Sequence, residues 1–557
     1  MKTRVIQNEP EDPTSRRPSS VPPRARPPST EHAAPMGRWS PRRRKIAIWA
    51  AVAVVILAAA YLVTRPGSGT PAVNGTGADP QFAAIERFVQ HEMAAQRIPG
   101  LALGIVKGDQ IAYTRGFGEA DESGRAVTPQ TPFIICSVSK SFTALAIMQL
   151  VEAGKVDLDA PVRRYLPWFR VADERASAEI TVRHLLNQTG GLSTKTGRML
   201  EGIGDTSDRA LEEAVRGLST AELTAPVGEV FQYSNAGYWI LGLIVQAISG
   251  QSYENYVQAR ILEPLQMRRS FMSEAAAQQQ GLAKGYHYAF DRPMAVDVPY
   301  HRGTVPAGHV ISTAEDMTHY LIAQLNDGRF RSASVLSPAG VRELHQPGVP
   351  PKMGTSYGMG WYVGPVNGIP AIYHSGEGFN FHANVVLVPG SRTGVVVLMN
   401  AENNLDLFVN DRMGTIADGV ASLLDGSDPP PPPSSIVSFA VYAAVFGVIA
   451  VQLGGMIKSV VALRRGRVRG GRVGPRWRIG LSLALALAWA VLVLVLVPRK
   501  FGLPLSVIRY AFPDLAYILI GSAVVALGWS TVTTIWAYSA LRKARRNGRP
   551  GNQGGIP

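Results

Sequence analysis

Four stretches of the chain carry no charge and are apolar on every helical face: residues 46–63, 436–457, 479–497 and 515–538. An α-helix rises about 1.5 Å per residue, so runs of this length cross a hydrocarbon core of about 30 Å. Buried helices of soluble domains are shorter and rarely stay uncharged for so long, and all four runs therefore read as transmembrane helices. Between the first and second run the pattern changes to that of a globular domain. Residues 82–95 carry the apolar repeat of an amphipathic helix. Residues 101–106 and 111–115 flank Lys107-Gly108-Asp109 as a hairpin, and residues 384–388 and 395–399 flank the turn-rich 389–394 as another. Residues 137–153 predict a buried helix stopped at Gly154, residues 156–285 are dense in helix and turn signals, and β character returns at His374. Strands at both ends around a helical middle predict an α+β domain, its antiparallel sheet assembled from both termini and covered by helices, with an all-α region inserted.

Charge refines this picture. A mean hydropathy of +0.05 coexists with a net charge of +15, a combination rare in one soluble globule. Residues 1–45 hold eleven Lys/Arg against four acids, 458–478 hold eight basic residues and no acid, and 542–557 hold five and none. The basicity thus belongs to three short segments, each abutting an apolar run, and none borders the aromatic-rich surface that nucleic-acid binding requires. If basic ends stay in the cytoplasm, one assignment satisfies all three segments: a multi-pass protein of the cytoplasmic membrane with residues 64–435 extracytoplasmic. The loop with Arg499, Lys500 and Arg509 then also lies outside, which runs against the rule.

The predicted organisation is a disordered basic cytoplasmic arm (1–45), a first span (46–63), a Gly/Ser/Pro-rich linker (64–80), a catalytic domain (81–425), a Pro-rich linker (426–435) and a membrane domain (436–557) with three spans. Ala58-Ala59-Ala60 would suit signal cleavage, whereas the 45-residue arm and the length of the run favour a retained anchor. Cys136 is the single cysteine, so no internal disulfide exists, and a small core residue is the expected role.

The chemistry concentrates at Ser137-Val138-Ser139-Lys140, the only Ser-x-x-Lys in the chain. Three residues is just short of a helical turn, so a helix starting near Ser137 puts hydroxyl and amine on one face. Such a lysine activates a serine only when deprotonated, and burial together with a helix N-terminus both lower its pKa. Alone, the motif also fits a serine-rich helix cap with a surface lysine. Tyr233-Ser234-Asn235 adds a phenol able to relay the serine proton and an amide able to orient a substrate. Tyr253-Glu254-Asn255 repeats that pattern inside an amphipathic helix, where Tyr253 is expected to pack. His374-Ser375-Gly376 opens a strand whose glycine lets a substrate approach the backbone.

The order Ser137-x-x-Lys140, Tyr233-x-Asn235, His374-Ser375-Gly376 resembles the class C β-lactamase and D,D-peptidase superfamily over about residues 80–425. Connecting phrases share the likeness, among them Pro306-Ala307-Gly308, Ser312-Thr313-Ala314-Glu315-Asp316 and Tyr357-Gly358-Met359-Gly360-Trp361. The resemblance implies a β-lactamase/transpeptidase-like fold with the site between the sheet and the all-α region. It implies Ser137 as nucleophile, Lys140 and Tyr233 sharing the base role, and Asn235, His374, Ser375 and Gly376 binding substrate. Backbone N–H groups of Ser137 and Glu377 would form the oxyanion hole, with no metal and no cofactor. Histidine stands where dedicated β-lactamases carry lysine, and a neutral imidazole holds a β-lactam carboxylate poorly.

Together these readings predict a membrane-anchored serine hydrolase that meets a small peptide, amide or ester substrate, and membrane lipid, outside the cytoplasm. An amidase or peptidase of D-amino-acid or cell-wall type leads, with maturation of a nonribosomal-peptide prodrug as one form of it. An esterase of the same family is the alternative. A non-catalytic, penicillin-sensing membrane protein is the contrasting class, disfavoured by intact Ser137, Lys140 and Tyr233.

Overall fold

The computed structural model describes residues 80–350, 354–407, 411–431, 436–464, 476–501 and 505–547. The predicted arm, the first apolar run at 46–63 and the linker up to residue 79 lie outside the described residues, as do 432–435 of the second linker.

Seven strands form the main sheet: β1 (Gly100–Lys107), β2 (Gln110–Gly118), β3 (Ser356–Tyr357), β4 (Tyr362–Val366), β5 (Ile369–Glu377), β6 (His382–Val388) and β7 (Thr393–Met399). Their spatial order is β2-β1-β7-β6-β5-β4-β3, and every pairing is antiparallel. The early hairpin and the late one meet where β1 pairs β7, Leu101 opposite Met399 and Lys107 opposite Thr393. Both predicted hairpins are therefore present, and the sheet is closed by segments from the two ends of the domain.

Both faces of this sheet are covered, which is why its central strands read as nearly continuous apolar runs. Alternate residues sort to opposite sides as the pleat requires. Leu101, Leu103, Ile105, Val395 and Val397 pack with Ile85 and Val89 of α1 (Pro80–Gln96) and with Ile416 and Val420 of the later α5 (Thr415–Asp425). Ala102, Val106, Val396 and Leu398 belong to the larger core, which holds α2 (Ser139–Glu152), α3 (Asn235–Ser249) and α4 (Ala314–Leu325). Gly104 sets how near α4 can lie: a Cβ there would stand 2.8 Å from the Thr318 methyl.

The region inserted between β2 and β3 is all-α for most of its length, built of short helices and 3-10 turns around a core containing Phe142, Trp239 and Ile240. α3 ends at Gly250 in the left-handed conformation, φ 72°, a normal helix stop.

After α5 the described residues form α6 (Ile436–Arg464), α7 (Arg476–Val491), which continues through a π-helical turn (Leu492–Leu496) and a short helix (Val497–Phe501), then the short α8 (Leu505–Ala511) and α9 (Pro513–Asn547). Three stretches among them are long and apolar enough to span a membrane: Ala440–Lys458, Leu483–Lys500 and Pro513–Trp536. They fall within a few residues of the predicted runs. Leu485 and Val524 are 62% and 63% exposed, the outward-facing apolar surface that lipid would cover.

Candidate active site

The turn that carries Ser137 is built just before α2. Cys136 adopts φ 48°, a left-handed backbone unusual for a residue with a Cβ, and turns the chain from a two-residue strand into the 3-10 turn Cys136–Val138. α2 then begins at Ser139. Sharp strand-to-helix turns of this kind present a side chain at the sheet edge while its neighbours stay buried. Ser137 is half-buried, between fully buried Val138 and Cys136 at 4% exposure.

Lys140 is completely buried, with Nζ 2.9 Å from Ser137 Oγ and donating to Ala307 O at 2.7 Å. Burial lowers its pKa to about 7. The neutral amine can donate one N–H to Ala307 while its lone pair accepts the Ser137 hydroxyl proton. The aromatic faces of Tyr233 and Tyr238 stand 4.8 and 5.7 Å from Nζ and give the ammonium form a weakly attractive wall. The remaining hydroxyls of this helix are committed to structure. Ser139 Oγ accepts from Val310 N at 3.0 Å, Ser141 donates to Val138 O, and Thr143 pairs with Tyr253 OH at 2.6 Å. Tyr253 thus packs behind the helix.

Tyr233 sits just before α3, edge-on to Tyr357 at 6.2 Å. Burial pushes its phenol well above the ordinary value, and a hydrogen bond to Ser137 works in the opposite direction. Asn235 is the first residue of α3, and its Oδ1 is a buried acceptor without a hydrogen-bond partner among the described residues. The pair is oriented from Gln188, whose own backbone is left-handed at φ 60° and whose Oε1 accepts from Ser234 N at 2.9 Å.

The third motif lies on β5. His374 is 1% exposed; Nδ1 donates to Ser375 O at 2.6 Å, leaving Nε2, 3.1 Å from Tyr357 OH, to accept that hydroxyl. Burial and the neighbouring Lys140 lower its pKa to about 3, so the ring is neutral. It stands 6.3 Å from the Tyr233 ring and does not line the cavity. Ser375 Oγ donates to the Glu377 carboxylate. Gly376 is required by a close approach: a Cβ there would fall 2.3 Å from Ile135 O. The end of β5 therefore lies directly against the turn that carries Ser137.

Ser137, Tyr233, Asn235 and Glu377 face one cavity of about 460 Å³, a size suited to a small-molecule or short peptide substrate. Among the described residues five carboxylates line it, Glu201 and Glu377 included, against two cations, Arg198 and Lys284, with Lys284 held 2.5 Å from Asp297. Burial raises the Glu201 carboxyl to about 7. Cys136 is inert: its thiol donates weakly to Phe381 O at 3.4 Å, and burial raises its pKa far above the ordinary value.

Several participants escaped the sequence reading. Ala307 was visible only as part of a shared phrase, because a carbonyl role leaves no side-chain signal. Glu201 belongs to no motif, and Gln188 was visible only as the start of the phrase Gln188-Thr189-Gly190-Gly191, which departs from the residues usual in the family and signals no orienting role. Tyr357, which holds His374, was legible only as the start of a Tyr-Gly-Met-Gly-Trp phrase.

Comparison with known proteins gives a consistent picture. A family model described as Beta-lactamase matches residues 85–416. Protein flp of Staphylococcus aureus (strain MW2) is 28% identical over 319 residues, 57% of this chain and 62% of flp, so the chain spans less than two thirds of that relative. Penicillin-binding protein 4 of Amycolatopsis lactamdurans is 30% identical over 317 residues, 54% of this chain and 81% of the relative. Among solved structures, the octameric penicillin-binding protein homologue from Pyrococcus abyssi superposes with a TM-score of 0.54 at 29% identity, covering 62% of this chain and 78% of that one.

Proposed function

This chain belongs to the β-lactamase family of serine hydrolases, and from that premise we propose that it is a membrane-anchored amidase or peptidase forming an acyl-enzyme on Ser137. The observation that carries the proposal is the 2.9 Å approach of Ser137 to a buried lysine whose pKa is lowered to about 7. Neutral Lys140 takes the hydroxyl proton as Ser137 Oγ bonds to the substrate carbonyl carbon. Charge on the carbonyl oxygen is met by the backbone N–H groups of Ser137 and Glu377. Tyr233 passes a proton to the leaving nitrogen as the C–N bond breaks. Water then attacks the acyl carbon, its proton returns through the Lys140–Tyr233 pair, and Ser137 is released with its hydroxyl restored. His374 acts by positioning Tyr233 and the end of β5.

Two features support amides of low negative charge as substrates. The unpartnered Asn235 Oδ1 would be completed by a substrate N–H, which an ester lacks at that position. The excess of carboxylates around the cavity, with a neutral His374 behind it, disfavours the anionic carboxylate of a β-lactam. D-amino-acid peptides of cell-wall type, or a peptide prodrug, fit these demands. The three apolar helices and the flanking basic segments support anchoring in the cytoplasmic membrane with the site extracytoplasmic.

Full-length protein should be labelled by a fluorophosphonate probe, and Ser137→Ala should be silent. Equal labelling of the two would remove the nucleophile assignment.

A further inference from the structure

The cavity that opens at Ser137 is not completed by the catalytic domain alone. Its wall includes Ala511 and Phe512, the last residue of α8 and the residue that precedes α9. This is the segment joining the second and third candidate spans, more than 370 residues from Ser137 in sequence.

Three separate contacts seat the segment. Gly202, in the loop that also brings Glu201 to the cavity, faces Val507: a Cβ there would lie 2.8 Å from Val507 Cγ2 and 3.9 Å from the Tyr510 ring. His287 Nδ1 donates to Tyr510 O at 3.0 Å. Phe290 N donates to Asp514 Oδ2 at 2.7 Å, and the same carboxylate oxygen accepts from Tyr442 OH of α6. Val507 and Ala511 are 1% and 5% exposed, so docking removes an apolar face of α8 from solvent.

Position then sets chemistry. Phe512 is followed at once by Pro513, where a 24-residue span begins. With that span set across a bilayer, the cavity wall at Phe512 would stand near the boundary between polar headgroups and hydrocarbon, and Leu200, Val298 and Pro299 add apolar lining to the same cavity. An aliphatic chain entering from the bilayer side gains burial at this wall, whereas a small polar group gains none.

We propose that Phe512 is a specificity-determining residue, forming with Ala511 a subsite for an aliphatic chain carried by the substrate. The proposal rests on the serine-hydrolase reading above. The chain can belong to the acyl part or to the leaving group; the chemistry of the subsite is the same, and the test separates the two.

The experiment uses full-length protein in lipid nanodiscs. One series is p-nitrophenyl acetate against p-nitrophenyl octanoate, with the chain on the acyl side. The other is methyl against octyl thioacetate, with the chain on the leaving side. The readout is the long-to-short ratio of kcat/KM within each series. In one series the ratio should favour the long chain and fall about tenfold in Phe512→Ala through a rise in KM, with Phe512→Leu restoring most of it. No chain preference in either series, or a ratio unchanged by Phe512→Ala, overturns the subsite. Fluorophosphonate labelling of each variant separates the two readings: Ser137-dependent labelling with an unchanged ratio overturns only the subsite, while loss of labelling in the parent protein overturns the hydrolase reading and this one with it.

Discussion

At the scale of single residues, the site turns on one buried amine. Lys140 is useful as a base only when neutral, and burial brings its value down from the ordinary lysine range to about 7. The acylation rate should therefore rise with pH, half-maximal near 7, in a stopped-flow labelling series; a rate flat from pH 5.5 to 8.5 would exclude Lys140 as the titrating base. The same shift acts on stability. Between the folded value and the higher unfolded value, the unfolded chain binds more protons, so this residue's contribution to stability improves as pH rises through that window. Tyr233→Phe keeps the ring against Lys140, Tyr357 and His374 but loses the hydroxyl, and should slow acylation about 100-fold. The pairing of Ser137 with Lys140 was legible because helical spacing alone brings them together. The acceptor Ala307 O was not, since it comes from a carbonyl 167 residues away in sequence. Nor did the sequence signal that Cys136 takes a positive φ, because the strained backbone is fixed by what packs around it.

Among the secondary-structure elements, the critical junction is between β5 and the turn that leads into α2. The Gly376 site has no room for a methyl group, since the nearest atom is a backbone oxygen that cannot swing away. Gly376→Val should push the end of β5 off the Ser137 turn, at a cost of about 1–3 kcal/mol in stability, lowering the unfolding temperature and reducing fluorophosphonate labelling together. Retention of both would show that β5 does not set the oxyanion geometry. The hairpins were readable because β1, β6 and β7, buried on both faces, run almost continuously apolar, and a Gly-containing turn separates the strands of each pair. The short strands β3 and β4 and the broken helices of the insert were harder to read. Strands of two to five residues carry too little periodicity, and short helices take their bounds from capping and tertiary contact rather than from propensity.

For the whole molecule, the three candidate spans were plain in the sequence, within a few residues, because hydropathy needs no tertiary information. Their docking against the catalytic domain was not, because nothing local in residues 505–512 encodes a contact with Gly202 or His287. Asp514 ties these parts together, accepting from Phe290 N and Tyr442 OH at once. Asp514→Ala should loosen that tie, raising amide exchange at residues 287–291 about tenfold by hydrogen-exchange mass spectrometry while strands β1 and β7 stay protected. Unchanged exchange at 287–291 would mean that the apolar contacts of α8 hold the domain unaided.

Under the proposed chain subsite, the junction at Phe512 and Pro513 would also change which concentration the enzyme obeys. For a substrate whose chain resides in lipid, encounter occurs in two dimensions, and the governing quantity becomes mole fraction in the bilayer instead of molarity in solution. Diluting that substrate with inert lipid would slow turnover even at constant total amount, and saturation would be reached at a surface density. A site so placed would in this sense respond to membrane composition as well as to substrate.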